Sequence, residues 1–406
     1  MPVMSNAPVM PGLDVLSLFA TAPHDLHGTS ENASFRNLEL LRGKRIGLVT
    51  NHTGRTKSGV STLEILRLLK LQVSALFSPE HGPHGTCEGD IESARSDDGT
   101  PIYSLYGATR RPTDVMLENL DALVFDIQDV GARFYTYSTT LAFCMEECAA
   151  RGLSFVVLDR PNPLGGDCVD GPIVTEEARS FIGHLQVPVR HGMTLGELAL
   201  WHRADAALDL DLHVVPVANW RRSMLWPDTG LSWIAPSPNL PDFESTRWYP
   251  ATCLLEFSNI SVGRGTSSPF QIIGAPWLNA QFLISASTSW PAEIRRGITL
   301  KAINFTPKHS VFEGENCRGL WLQVRENAGF VDGGPPVASG LALLQTLFQT
   351  HPTHFGEEQL QAALPLLGSP RVLERLRSGS LEEAVAYSEE DVSLFQMQRA
   401  PYLMYE

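Results

Sequence analysis

The sequence predicts an α/β protein: a Rossmann-like, doubly wound and mostly parallel sheet, followed by a smaller C-terminal α/β (α+β) domain. Three observations predict it. Short apolar runs alternate with helically spaced segments between Lys44 and Leu158, the pattern of successive strand–helix units. Each run stops abruptly at polar groups, as parallel strands do at the edge of an open sheet where ligands bind. Beyond a Trp- and Pro-rich passage, Trp220 to Pro250, the alternation resumes. The limits that follow are an N-terminal extension over residues 1–42, a Rossmann-like domain over 43–248 and a smaller domain over 249–406.

The elements follow in order. An amphipathic piece lies near Leu13–Phe19. Lys44 to Thr50 (KRIGLVT) is the first strand, closed by Asn51, His52, Thr53 and Gly54. Ser61 to Leu71 is helical, because Ser61 and Glu64 form a capping box and Ile65 and the leucines recur at helical spacing. Val73 to Phe77 is the second strand, and a crossover of this kind is right-handed and gives parallel strands. Pro101–Tyr106 is a short strand, Thr113–Leu120 a short helix and Asp121–Asp126 a buried strand. Thr139–Arg151 is a helix with Gly152 at its C′ position. Phe155–Leu158 is a strand that ends at Asp159-Arg160-Pro161-Asn162. Thr194 and Glu197 cap a helix over residues 194–202, and His213–Val217 is a strand. In the second domain, strands near Leu254–Phe257, Ala302–Phe305 and Gly319–Val324 precede helices near Ser339–Thr350, Glu357–Leu364 and Arg371–Arg377.

Composition removes several classes of function. Hydrophobic residues make up 43% and charged residues 19%, which suits a large core. The net charge of −14, from 31 basic and 45 acidic residues, argues against nucleic acid or an anionic membrane as partner. No apolar run approaches a membrane span. The six cysteines show no CxxC spacing, so reduced thiols are expected. With no charged segment leading into an apolar one at the N-terminus, the expected location is cytoplasmic. A homodimer is compatible with all of this. Gly263-Arg264-Gly265 starts like a dinucleotide fingerprint, but Ser268 holds the place of its third glycine, so NAD is discarded.

Candidate chemistry collects at strand ends. Glu80 follows Pro79 at the end of the second strand, within LFSPEHGPHG (Leu76–Gly85). A carboxylic acid partly desolvated in such a loop would have a raised pKa and could act as a general acid; the plain alternative is a glutamate that braces the loop. His81 and His84 form an H-x-x-H pair that, with Asp126 and Asp129, makes a metal site conceivable, although substrate hydrogen bonding ranks above it. Asp126, Gln128, Asp129 and Arg133 cluster after a buried strand, and Phe134, Tyr135 and Tyr137 offer rings on which a sugar can stack. Arg160 and Asn162 repeat the pattern at a third strand end. Arg190 and His191 precede a helix N-terminus, where arginine suits a carboxylate clamp or a surface ion pair. Asn239 sits in the turn Pro236–Asn239 on the cleft wall. Glu256, Asn259 and Arg264 lie where an expected strand runs into a glycine-rich loop.

These segments occur in an order that resembles a known family. GLVTNHTG (Gly47–Gly54), LFSPEHG (Leu76–Gly82), VFDIQDVGARFYTY (Val124–Tyr137), VLDRPNPLGG (Val157–Gly166), VRHGMTLGEL (Val189–Leu198), PSPNLP (Pro236–Pro241), SVGRGTSSPFQIIGAPW (Ser261–Trp277) and RAPYLMY (Arg399–Tyr405) are similar to the NamZ-type exo-β-N-acetylmuramidases, formerly a domain of unknown function. The resemblance covers roughly residues 40–406. It implies a cofactor-free glycosidase that removes terminal N-acetylmuramic acid from the non-reducing end of peptidoglycan fragments, with its site in a cleft that the C-terminal domain completes. The residue roles come from chemistry. Glu80 is the preferred acid, and Glu256, Asp126 or Asp129 the second carboxylate, unless the sugar's own 2-acetamido group attacks. The lactyl carboxylate of muramic acid gives Arg133, Arg190 or Arg264 a role, with Arg264 preferred for its flanking glycines. Asn51, His52, His81, His84, Gln128, Asp129, Tyr135, Arg160, Asn162, His191, Asn239 and Asn259 complete the expected substrate-binding set. A non-catalytic muropeptide-binding protein and a metal-dependent hydrolase built on His81 and His84 are the alternatives.

Overall fold

The computed structural model describes residues 7–21, 38–85, 92–96, 98–325 and 336–406. Part of the expected N-terminal extension, and Cys87, lie outside these residues. Seven strands form the main sheet: β1 (Arg45–Thr50), β2 (Gln72–Ser78), β3 (Ala94–Arg95), β4 (Pro101–Ser104), β5 (Ala122–Asp126), β6 (Ser154–Leu158) and β9 (Leu212–Val215). Their order is β3-β4-β2-β1-β5-β6-β9, all parallel except β3, while β7 (Asp170–Ile173) and β8 (Pro188–Arg190) pair separately. From β1 the chain builds outward to β2 and β4 on one side and to β5, β6 and β9 on the other. The order therefore reverses between β1 and β5, the crevice position of open α/β sheets. Pairing of Leu48 with both Leu76 and Val124 brings the ends of β2, β1 and β5 to one edge.

Side chains alternate strictly between two cores, as a pleated sheet covered on both faces requires. Ile46, Leu48, Val124, Val156 and Leu158 join one cluster with Leu13 and Leu16 of α1 (Gly12–Thr21) and Ile65 and Leu66 of α2 (Thr62–Leu68). Val49, Leu123, Phe125, Phe155 and Val157 join the other with Leu141 of α3 (Tyr137–Arg151) and Leu198 of α4 (Leu195–Asp205). At Gly47 the packing is close: a Cβ there would lie 2.4 Å from Leu123 Cδ2, so a larger residue would have to displace buried side chains. The capping boxes of Ser61 with Glu64 and of Thr194 with Glu197 are both formed, and Gly152 ends α3 at φ 65°.

The larger core continues into the second half of the chain. There β10 (Ile272–Ala275), β11 (Ile298–Phe305) and β12 (Cys317–Val324) make an antiparallel sheet in the order β10-β12-β11. Helix α5 (Phe243–Thr252) runs unbroken across positions 248 and 249. Helices α6 (Val337–Thr350), α7 (Pro370–Ser378) and α8 (Leu381–Arg399) follow. The strand expected near Leu254–Phe257 is instead a 3-10 turn, Cys253–Leu255, that prolongs α5. Its apolar run is too short to tell strand from helix by pattern. Helix α8, which the sequence reading leaves out, buries Leu381, Ala384, Ser388, Phe395 and Arg399 along one face. Among the described residues no helix is long and apolar enough to cross a membrane.

The first and last described stretches dock beside edge strand β9. Met10 pairs with Ala218 through two backbone hydrogen bonds of 3.0 and 2.8 Å, and Val217 N donates to Tyr405 Oη at 3.0 Å. Tyr405 Oη donates to Asp159 Oδ2 at 2.5 Å, while Arg399 donates to the carbonyls of Gly166, His191 and Gly192.

At the end of β5, Asp126 is fully buried. Arg160 Nε reaches Oδ1 at 2.5 Å and Nη2 reaches Oδ2 at 3.0 Å, while Thr62 Oγ1 donates to Oδ2 at 2.5 Å. This pair joins the ends of β5 and β6 to the start of α2. Removing one partner strands a charge in a dry interior, which costs roughly 3–5 kcal/mol. Arg160→Met is therefore expected to lower unfolding free energy by about that amount in a urea titration. A loss under about 1 kcal/mol would show that the pair does not brace the sheet.

Candidate active site

Strand β2 delivers Glu80 into a tight loop. Gly82 N donates to Pro79 O at 3.1 Å, and His81 and Gly82 both take left-handed backbone, at φ 68° and 74°. The loop rests on His52. Gly85 has φ +70°, and a Cβ on it would sit 1.8 Å from His52 Cε1, so only glycine fits. His52 Nε2 lies 2.7 Å from Ala235 O, and a carbonyl can only accept, so Nε2 carries the hydrogen. Burial keeps this ring's pKa below its ordinary value and hence neutral.

Thr136 and Tyr137, at the start of α3, hold Glu80. Thr136 Oγ1 donates to Glu80 Oε2 at 2.5 Å. Tyr137 Oη accepts from Asn51 Nδ2 at 2.9 Å and stands 3.2 Å from Pro236 O and 3.4 Å from Glu80 O. Burial pushes the Tyr137 hydroxyl far above its usual range, so it stays a donor.

Glu80, His81, Tyr135 and Thr136 share a cavity of about 170 Å³ with Glu256 and Arg264. Its walls are aromatic: Tyr249 makes edge-on contacts with Phe134 at 5.2 Å, Tyr135 at 5.9 Å and Phe270 at 4.7 Å. Glu256 follows the end of α5. Arg264 Nε donates to its Oε1 at 2.6 Å, Arg264 Nη2 pairs with the same oxygen, and Cys253 Sγ donates to Oε2 at 3.1 Å. Burial works against the Arg264 charge, but the Glu256 carboxylate outweighs it and raises the guanidinium pKa. The Cys253 thiol is pushed well up by burial and remains a donor. Asn239 fixes the glycine loop by accepting from Gly265 N at 3.2 Å.

The family follows from comparison. Residues 46–244 match the model for "Exo-beta-N-acetylmuramidase NamZ, N-terminal", and residues 247–405 match its C-terminal counterpart. The chain belongs to the NamZ family of exo-β-N-acetylmuramidases. A Bacillus subtilis relative, peptidoglycan beta-N-acetylmuramidase NamZ, is 41% identical over 370 residues, covering 90% of this chain and 88% of that protein. Two crystal structures of DUF1343 family proteins from Bacteroides fragilis are each 31% identical. One superposes with a TM-score of 0.84 over 100% of both chains, the other with 0.74 over 98% of this chain and 99% of its own.

Within this NamZ-family fold the expected site divides. Glu80, His81, Tyr135, Glu256 and Arg264 line the one cavity, with Asn51, His52 and Asn239 bracing its loops. The others are engaged elsewhere. Asp126 faces Arg160 and Thr62, so it is not placed as a second carboxylate. Arg133 is fully buried and gives its Nη1 and Nη2 hydrogens to the carbonyls of Pro172, Val187, Leu366 and Leu367 at 2.6–3.0 Å, which rules it out as a clamp. Asn162 donates to Met193 O and accepts from Leu164 N. Arg190 is buried on β8 (Pro188–Arg190), with Nη2 3.4 Å from Leu164 O. His191, held neutral by burial with its pKa lowered to about 3, accepts from Met193 N. Asn259 donates to His354 O, and His84 is exposed. Gln128 and Arg160 line a separate cavity of about 210 Å³ with Thr53, Arg55 and Trp226.

The metal reading of His81 and His84 finds no support either: among the described residues the two histidines do not converge with Asp126 or Asp129 into a ligand group. The sequence reading passed over Thr136, Tyr249, Cys253 and Phe270 in the cavity wall. A signal existed, since Tyr249, Cys253 and Glu256 recur at i, i+4 and i+7, one face of a helix.

Asp129 is buried, accepts from Gly131 N at 2.8 Å and has its pKa pushed up to about 7 from 3.8 by burial. The folded state thus holds a proton that the unfolded chain releases. Its stabilising contribution is complete below about pH 4 and is lost as pH rises toward 7. Asp129→Asn keeps the acceptor and removes the titration. We expect its melting temperature to match the parent near pH 4.5 and exceed it near pH 8; equal offsets at both pH values would overturn the assignment.

Proposed function

We propose that this NamZ-family chain hydrolyses the glycosidic bond of a terminal, non-reducing N-acetylmuramic acid residue in peptidoglycan fragments, with Glu80 as general acid. The observation that carries the assignment is that Glu80 and Glu256, from distant parts of the sequence, line one small aromatic cavity. Hydrolysis needs a proton for the leaving oxygen and a second group near the anomeric carbon. Thr136 holds one Glu80 oxygen and so orients the carboxyl, while ring faces suit the apolar face of a sugar.

Glu256 supplies the second carboxylate, either at the anomeric carbon or by orienting the substrate's 2-acetamido group. Its ion pair with Arg264 and the Cys253 hydrogen bond fix it in place. Arg264, whose positive charge lines the same cavity, then meets the lactyl carboxylate of muramic acid. The second half of the chain, carrying Glu256 and Arg264, completes the cleft. A cytoplasmic setting fits the reduced thiols of Cys144, Cys148, Cys253 and Cys317.

Leaving-group ability separates the roles. Nitrophenolate departs without a proton, whereas a sugar hydroxyl needs one. Glu80→Gln is expected to lose about 10²–10⁴ in kcat on a muramic acid–glucosamine disaccharide, and far less on a 4-nitrophenyl β-muramide. Equal losses on both would remove Glu80 as the acid, and full activity on the disaccharide would remove it from the mechanism. Arg264→Lys should raise KM more for the muramide than for the matching N-acetylglucosaminide, which lacks the lactyl carboxylate.

A further inference from the structure

A second constellation lies outside the Glu80 cavity. Glu146 of α3, His202 of α4 and His184, from the segment before β8, place their ligand-type atoms within 4.8 Å of one another. Among the described residues this is the group of three or more such side chains that converges. Both rings aim Nε2 at a single atom, Glu146 Oε1, at 2.7 Å from His184 and 3.1 Å from His202. Arg111 Nη1 takes the other oxygen, Oε2, at 2.6 Å.

We infer that Glu146, His184 and His202 form a binding site for a divalent transition metal ion of the zinc class. Two imidazoles and a carboxylate are a donor set that zinc accepts, with a fourth position left to water. Donors about 2.0–2.2 Å from a tetrahedral ion stand roughly 3.3–3.5 Å apart, so the two histidine–Glu146 separations of 2.7 and 3.1 Å need open by only about half an ångström to seat it. Glu146 and His184 are half-buried and His202 is buried, which leaves one side open for the ion to enter. Arg111 occupies one carboxylate oxygen and leaves the other as a single-atom ligand, the kind of outer contact that orients metal-bound carboxylates. The guanidinium's own charge opposes the ion, and Glu147, 3.4 Å from Arg111 Nη1, offsets part of it.

The three donors belong to two helices and a connecting segment, so an ion would clamp that segment onto α3 and α4. The same segment carries Ile182 into the wall of the Glu80 cavity and sets Phe181 5.9 Å from Tyr106, another wall residue. The site is thus a structural brace behind one side of the cavity. It does not depend on the glycosidase reading.

Chelator-treated full-length protein titrated with cobalt(II) tests this. The expected result is intense visible absorption that saturates at about one ion per chain and is displaced by zinc. The His184→Ala and Glu146→Gln variants should lose it, whereas a His81→Ala/His84→Ala double variant should keep it. His202 is buried, so its replacement risks the fold and the other two variants carry the test. Zinc should also raise the melting temperature of the parent but not of His184→Ala. Absence of saturable binding in the parent overturns the inference, as does equal binding or equal thermal shift in His184→Ala. Loss of the signal in the His81/His84 variant overturns it too, by moving the ion to the other loop.

Discussion

The guanidinium of Arg133 holds the molecule's two halves in register. It is fully buried, and its four Nη hydrogen bonds end on carbonyls from three segments: Pro172, Val187, and Leu366 with Leu367. Hydrogen bonds from a charged donor are worth roughly 1.5–3 kcal/mol each, while burying the ion costs several kcal/mol. Burial shows in a pKa lowered to about 9. The bonds offset the cost of burial, and what the arrangement supplies is position. Arg133 is three residues before Thr136 and four before Tyr137, so the contacts that hold Glu80 are set by a group anchored in the C-terminal half.

Much of the fold is legible in the sequence because the forces that shape it are local. Strands β1, β2, β5 and β6 are apolar runs with clear stops, and the capping boxes at Ser61 and Thr194 need only residues three positions apart. The helix ending near Glu256 is harder to read, because LLEF has the composition of a buried strand and only the spacing of Tyr249, Cys253 and Glu256 betrays a helix. Helix α8 buries one clear face, yet its exposed positions include Leu394 and Met397, which blur the amphipathic pattern.

The site was legible in its candidate residues, Glu80, Glu256 and Arg264 among them, but not in their partners. Position after a strand brings Glu80, Asp126, Gln128 and Arg160 to one edge of the sheet, and that much is fixed by topology. Which charges face solvent and which neutralise one another is a long-range matter. Asp126 meets Arg160, 34 residues away, and Arg133 meets Leu367, 234 residues away. A residue's type gives no hint of such partners. The aromatic wall has the same origin, since Tyr249 and Phe270 join Phe134 and Tyr135 only through tertiary packing.

The docking of the first and last described stretches beside β9 carries a further consequence. A parallel sheet that ends in an exposed strand offers a row of unpaired backbone groups to any passing chain. Here Met10 pairs with Ala218 just past β9, Pro8 O accepts from Asn219 Nδ2, and Glu406 O accepts from Arg222 N. The first and last described residues thereby shield the continuation of one sheet edge from opposite ends of the sequence. Fraying of either stretch would uncover a template for self-association, so resistance to aggregation and attachment of these stretches are one property in this protein.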